Sequence, residues 1–128
     1  MNAGLNWTPI LIFGGVVAGM FLLKRSGQVS AQAAQTYLKQ GALVIDVRTP
    51  GEFNSGHLPT AINIPLDEIT ARLPQRVGDK SRILLLHCQS GMRSGVAKNQ
   101  LKGMGYANVY NLGSLGRARA IVGNSARR

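Results

Sequence analysis

Cys88, the one cysteine of the chain, heads the segment His87-Cys88-Gln89-Ser90-Gly91-Met92-Arg93-Ser94. The apolar run Ile83 to Leu86 leads into that segment, and a helix-compatible stretch starting near Ser94 leads out. A thiol between the end of a buried strand and the start of a helix faces backbone N–H groups that lack partners. Those donors and the positive helix end favour thiolate over thiol. A thiolate of low pKa attacks a sulfur or phosphorus centre without a general base, and the loop N–H groups would stabilise the bound anion. The competing reading is a small buried core cysteine. Gly91, the polar flank and Arg93 make the segment a poor core and suit an anion-receiving loop. Adjacent side chains on a strand point to opposite faces, so His87 reads as a packing residue rather than a base for Cys88.

Positioning such a loop requires strands and helices around it. Ser30 caps an expected helix over Ala31–Gln40, stopped by Gly41. The β-branched run Ala42-Leu43-Val44-Ile45 reads as a buried strand closed by Asp46-Val47-Arg48. Thr49-Pro50-Gly51 is a turn signal, and Ala61–Ile64 a short strand. Pro65 to Leu73 reads as a short helix with Asp67 and Glu68 near its start, where the dipole favours them. Ile83–Leu86 is the most buried-looking strand. Ser94–Gly103 has helical spacing, Asn108–Leu112 reads as a last strand, and the Gly-, Ala- and Arg-rich end predicts at most a short helix across 117–122. Strands alternating with helices imply an α/β fold with a mainly parallel central sheet flanked by helices. In such sheets ligands sit beyond the carboxyl ends of the strands, which puts Asp46-Val47-Arg48 and Cys88–Arg93 on one edge.

The 128 residues suffice for one compact domain plus an appendage. A lone cysteine forms no intramolecular disulfide, and neither His57 nor His87 stands in a metal-ligand spacing with it, so no metal is expected. A formal charge of +10 suits an acidic partner: a membrane surface, nucleic acid or a small anion. Nucleic acid fits least, because aromatics are 5% of the chain and the basic residues follow no stripe.

No charged side chain occurs from Met1 to Leu23, and Lys24 and Arg25 then end the run. Leu5–Leu23 approaches the roughly 20 residues of a spanning helix, with Trp7 suited to the interface. Residues 1–23 are therefore expected to be a transmembrane anchor, 24–29 a linker, 30–116 the folded domain and 117–128 a basic tail. Basic residues after the apolar run, and none before it, predict an outside N-terminus and a cytoplasmic domain. The alternative is export after signal cleavage near Val29-Ser30-Ala31. Gly15 and Gly19 form a GxxxG pattern that would let two spanning helices pair as a weak homodimer.

The residues around Cys88 resemble the rhodanese-like sulfurtransferases. Cys88, Gly91, Arg93 and Ser94 match the active-loop pattern Cys-x-x-Gly-x-Arg-Ser. Phe53, His57, Leu58, Pro59 and Ala61 match a second pattern, in which Thr60 replaces the usual Gly. Val44–Arg48 followed by Glu52-Phe53 looks like the first core strand and its trailing turn. Together these cover roughly residues 30 to 112. The chain departs from the family after Leu112, where Gly113-Ser114-Leu115-Gly116 replaces a Gly-Gly pair and no Trp follows.

The resemblance implies the rhodanese-like three-layer fold and a sulfurtransferase with no cofactor. In that reading, Cys88 takes the outer sulfur of thiosulfate or a persulfide and hands it from its own persulfide to a thiol or cyanide. Gln89, Ser90, Gly91, Met92 and Arg93 cradle the transferred sulfur. Cys88 to Arg93 is Cys-x4-Arg, one residue shorter than the Cys-x5-Arg loop of related phosphatases and arsenate reductases, and so suits sulfur rather than a tetrahedral oxyanion. Asp46 is expected to orient loop amides, Arg48 to pair with Glu52 at the rim, and Ser94 to support the loop. Arg93 either steers an anionic donor or pairs structurally. A different class of function, a non-catalytic binding or scaffold module tethered to the membrane, would use the same fold.

Overall fold

The computed structural model describes residues 27–126. The expected membrane anchor, residues 1–23, lies outside the described residues. Among those that are described, no helix is long and apolar enough to cross a membrane.

Four parallel strands form the sheet: β1 (Leu43–Asp46), β2 (Ile62–Asn63), β3 (Leu84–His87) and β4 (Val109–Gly113), in the order β2-β1-β3-β4. The helices are α1 (Ala31–Lys39), α2 (Pro50–Asn54), α3 (Ile69–Arg76), α4 (Met92–Gly103) and α5 (Leu115–Ala126), with a 3-10 turn at Leu66–Glu68 before α3. Side chains alternate across the strands, so the sheet divides the interior in two. Ile45, Leu84 and Leu86 face Ile69 and Leu73 of α3 and Ala97 and Leu101 of α4. Val44 and Leu85 face Ala34 of α1 and Ala118, Ile121 and Val122 of α5. The architecture is the expected three-layer α/β arrangement, a parallel sheet flanked by helices. β3 is buried along its whole length, as its unbroken apolar run requires.

Three local readings change. Thr49-Pro50-Gly51 starts a helix rather than a turn. Thr49 Oγ1 accepts from Glu52 N at 3.2 Å, Glu52 Oε1 accepts from Thr49 N at 3.2 Å, and Pro50 occupies the first helical turn. The helix expected to end at Leu73 runs through Pro74 to Arg76.

The largest change is at the C-terminus. A 12-residue helix replaces the short one expected over 117–122, and the packed unit runs through α5 instead of ending at residue 116. Its glycines disfavour an isolated helix, but Ala118, Ile121 and Val122 fall at helical spacing and are buried against the sheet. Burial of that stripe outweighs propensity. Ser114 starts the helix, its Oγ accepting from Arg117 N at 3.1 Å.

Candidate active site

Cys88 directly follows β3 and is fully buried. Gly91, the residue before α4, sits at φ 96°, a left-handed backbone conformation that glycine adopts without strain. A Cβ there would meet Gln28 Nε2 at 3.1 Å and Gly113 Cα at 3.2 Å, so shape as well as φ demands glycine. This turn folds the chain back until the start of α4 faces the sulfur. Gly91 N donates to Cys88 Sγ at 3.0 Å and Ser94 N donates at 3.4 Å. No side chain at Gly91 caps α4; the cysteine sulfur takes the amides that a helix start leaves without partners. Ser94 Oγ lies a further 3.4 Å from the sulfur.

Burial pushes the Cys88 thiol up, but donation from Ser94 Oγ–H and from the N–H groups of Ser94, Gly91 and Ser90 outweighs it. The thiol ends below its ordinary value. The shift favours the thiolate because the loop supplies charge stabilisation that water would otherwise give.

Neighbouring segments hold the loop. Cys88 N donates to Gly113 O at 3.2 Å and Leu115 N to Gln89 O at 3.4 Å. Asn111 Nδ2 donates to Gly91 O at 3.0 Å, and Asn111 Oδ1 accepts from Ser94 Oγ at 2.7 Å and from Gly113 N at 2.8 Å. Asn111 itself is buried on β4. Gln28 forms an isolated parallel bridge with Asn111, and Val29 N donates to Asn111 O at 2.9 Å, so the segment before α1 is strapped along β4 behind the loop.

The expected carboxylate and arginine pairings are rearranged. Arg48 does not pair with Glu52 at the rim; it is buried and held by Asp46, with Nη2 to Oδ2 at 2.9 Å and Nε to both carboxylate oxygens at 3.1 Å. Arg48 N also donates to Asp46 Oδ1 at 2.9 Å. Asp46 thus holds Arg48 and does not orient loop amides; residues two apart meet because the chain turns at the end of β1. From this anchor Arg48 donates to Gln89 Oε1 at 3.2 Å and to Gly56 O at 2.7 Å, tying the sulfur loop to the loop after α2. Asn63 Nδ2 donates to Asp46 O and Arg48 O, both at 3.0 Å, and fixes the same turn from β2.

Glu52 pairs with Arg93, Oε1 to Nη1 at 2.6 Å and Oε2 to Nη2 at 2.9 Å, with both side chains about one third exposed. Donation from Arg93, then from Thr49 N, lowers the Glu52 carboxyl to about 2.

His87 is buried, with Nδ1 3.4 Å from Cys88 O and Nε2 3.7 Å from Asp46 Oδ2. Burial lowers its pKa and keeps it neutral, in keeping with a packing role. Gln89, Ser90 and Met92 are exposed around the loop. Beside them, a cleft of about 550 Å³ is lined in part by Gln28, Ser90, Gly91 and Met92. Among the described residues, no three His, Cys, Asp or Glu side chains cluster so as to hold a metal ion.

Sequence reasoning put Gly91 and Ser94 beside Cys88, where the structure has them, while the Arg93 side chain turns to Glu52. It missed Gln28 and Asn63, and it missed Asn111, whose one signal is a polar residue inside an otherwise apolar strand. The Phe53 to Ala61 pattern is a packing device. The Phe53 and His57 rings stack at 3.7 Å, Leu58 and Ala61 are buried, and Gly56 between them receives Arg48.

Residues 30–115 match the family model of the rhodanese-like domain, and the chain belongs to that family. Thiosulfate sulfurtransferase PspE of Escherichia coli (strain K12) is 44% identical over 71 residues, which span 56% of this chain and 68% of PspE. Thiosulfate sulfurtransferase GlpE of Pseudomonas syringae pv. syringae (strain B728a) is 31% identical over 85 residues, or 66% of this chain and 78% of GlpE. Of solved structures, a rhodanese with anions from E. coli superposes with a TM-score of 0.58 at 41% identity, covering 59% of this chain and 89% of that one. With these relatives and an intact cysteine loop, the protein is a rhodanese-type sulfurtransferase.

Proposed function

We propose that this protein carries sulfane sulfur as a persulfide on Cys88, taking it from thiosulfate or a persulfide and passing it to a thiol, or to cyanide, at a membrane surface. One observation carries the reading: Gly91 N and Ser94 N, with Ser94 Oγ, converge on a buried Cys88 sulfur whose pKa they lower. The thiolate attacks the outer sulfur of the donor and forms the new S–S bond. The donor's own S–S bond breaks, and sulfite (from thiosulfate) or a thiolate (from a persulfide) leaves with the electron pair. An acceptor thiolate or cyanide then attacks the terminal sulfur, and Cys88 leaves as thiolate. The loop amides face negative charge on sulfur in every state, so no proton has to move during the transfer.

The charge-free run Met1–Leu23 followed by Lys24 and Arg25 supports an N-terminal anchor, with the N-terminus outside and the domain cytoplasmic. The test uses the full chain in membranes. Treatment with thiosulfate or a persulfide donor should add one sulfur to the intact mass, addition of cyanide should remove it as thiocyanate, and Cys88→Ser should abolish both. A mass unchanged by every donor would sink the sulfur-carrier reading. A membrane-impermeant thiol reagent should label Cys88 only after lysis, and labelling in intact cells would reverse the orientation.

A further inference from the structure

Ser94 has one hydroxyl hydrogen and three acceptors around it: Asn111 Oδ1 at 2.7 Å, Gly91 O at 3.2 Å and Cys88 Sγ at 3.4 Å. The hydrogen can satisfy one of them at a time. All of these groups are buried, so an acceptor left without a donor is costly. Asn111 relieves this competition twice. Its Nδ2 donates to Gly91 O, as Gly95 N also does at 3.2 Å, so Gly91 O does not need Ser94. Its Oδ1 also accepts from Gly113 N, so it keeps a donor when Ser94 turns away.

We propose that Asn111 is a positioning residue for sulfur transfer, letting the Ser94 hydroxyl hydrogen swing between Asn111 Oδ1 and the Cys88 sulfur as that sulfur gains and loses negative charge. With Cys88 as a neutral thiol, the hydrogen lies on Asn111 Oδ1, the shortest contact. With Cys88 as thiolate it turns to Sγ. Once the persulfide forms, charge sits on the terminal sulfur and the hydrogen returns to Asn111. No bond to hydrogen breaks in this cycle; one hydroxyl rotates.

Charged side chains on the surrounding elements make their direct bonds elsewhere, although the Arg93 charge still reaches Cys88 through space. Arg93 of α4 is paired with Glu52, Arg117 of α5 donates to Leu112 O and Val29 O, and Lys98 of α4 donates to Gly27 O. Arg48 is held by Asp46, and burial keeps His87, next to Cys88, neutral.

The proposal rests on Cys88 being the sulfur-bearing nucleophile, and its test is independent of whether sulfur moves. In the full chain, the rate of Cys88 alkylation by iodoacetamide against pH reads the thiolate directly. Asn111→Leu removes one of the two donors to Gly91 O, leaving Gly95 N, and Ser94, freed from Asn111 Oδ1, then turns to the open lone pair of that carbonyl, the nearer of its two remaining acceptors. The alkylation midpoint should rise by roughly one pH unit. Ser94→Ala should raise it by a similar amount, and the double variant should show no more than the larger single shift, because both remove the same hydrogen from the sulfur. Asn111→Asp, nearly isosteric, should raise the midpoint further, because its carboxylate keeps Ser94's hydrogen and adds a like charge. A wild-type midpoint in Asn111→Leu or Asn111→Asp with an unchanged circular dichroism spectrum would overturn the proposal, as would additive shifts in the double variant. If Asn111→Leu fails to fold, Asn111→Asp alone decides by the same criterion.

Discussion

Two arginines flank the sulfur loop, each beside a carboxylate, and the resemblance between the pairs ends there. Arg48 is 3% exposed, holds Asp46 through three guanidinium contacts, and donates further to Gln89 and Gly56. Arg93 meets Glu52 in a fork at the rim, where both side chains are about one third exposed. Taking a pair out of water makes each member dependent on the other, because a lone buried charge has nothing to offset its lost hydration. Leaving a pair at the rim lets water and salt share the work. The inner pair is therefore architecture, joining β1, the loop after α2 and the sulfur loop, while the outer pair can be opened at little cost.

The sharpest way to break this contrast is at Asp46. Asp46→Asn keeps an acceptor for Arg48 N but leaves a buried guanidinium without its counter-charge, and should lower stability by about 3 kcal/mol or more in urea unfolding. Arg93→Gln should change stability by less than about 1 kcal/mol in the same measurement. If the two losses matched, the distinction between inner and outer pairs would fail.

Two smaller effects sharpen the outer pair. Glu52→Gln releases the Arg93 charge toward the solvent, and should lower KM for thiosulfate roughly twofold to fivefold at low salt, with the gain fading as salt is added. Donation from Arg93 and Thr49 N holds the Glu52 carboxyl below its ordinary 4.5, at about 2, and because the side chain is about one third exposed, solvent screening keeps the stability it contributes small. A depressed carboxyl pKa contributes stability that is fully present above the unfolded value and is lost as pH falls toward the folded one. The stability difference between the wild type and Glu52→Gln should accordingly be constant above about pH 4.5 and vanish by about pH 2, as followed by urea unfolding across that range.

Much of this site is written locally, and the local part is what the sequence disclosed. Cys88, Gly91, Arg93 and Ser94 lie within one turn and the helix start after it, so their spacing alone reveals the cradle. Alternation of apolar runs with helical spacing was enough to give a parallel three-layer sheet. The pairings were not legible in the same way. Glu52 and Arg93 are 41 residues apart, and Asp46 meets Arg48 because its carboxylate accepts a local bond from the amide two residues on, which competes with the i,i+4 pairing that the sequence suggested. Asn111 looked like one polar residue in a last strand, and its purpose shows only when β4 is laid beside β3. Helix α5 was hidden for another reason. Gly116 and Gly123 lower intrinsic helicity, and only the surface it covers reveals why Ala118, Ile121 and Val122 keep their spacing.

The complete burial of the Cys88 sulfur has a consequence for reach. As a thiolate, the nucleophile waits below the surface, and a donor must offer it an atom at the end of a slender group. The outer sulfur of thiosulfate has that shape, since its bulky oxygens trail behind. In the proposed persulfide, the reactive atom would stand one S–S bond of about 2.05 Å farther from the cysteine backbone. Unloaded, the site would admit only a narrow giver; loaded, it would extend its own arm to a broader taker.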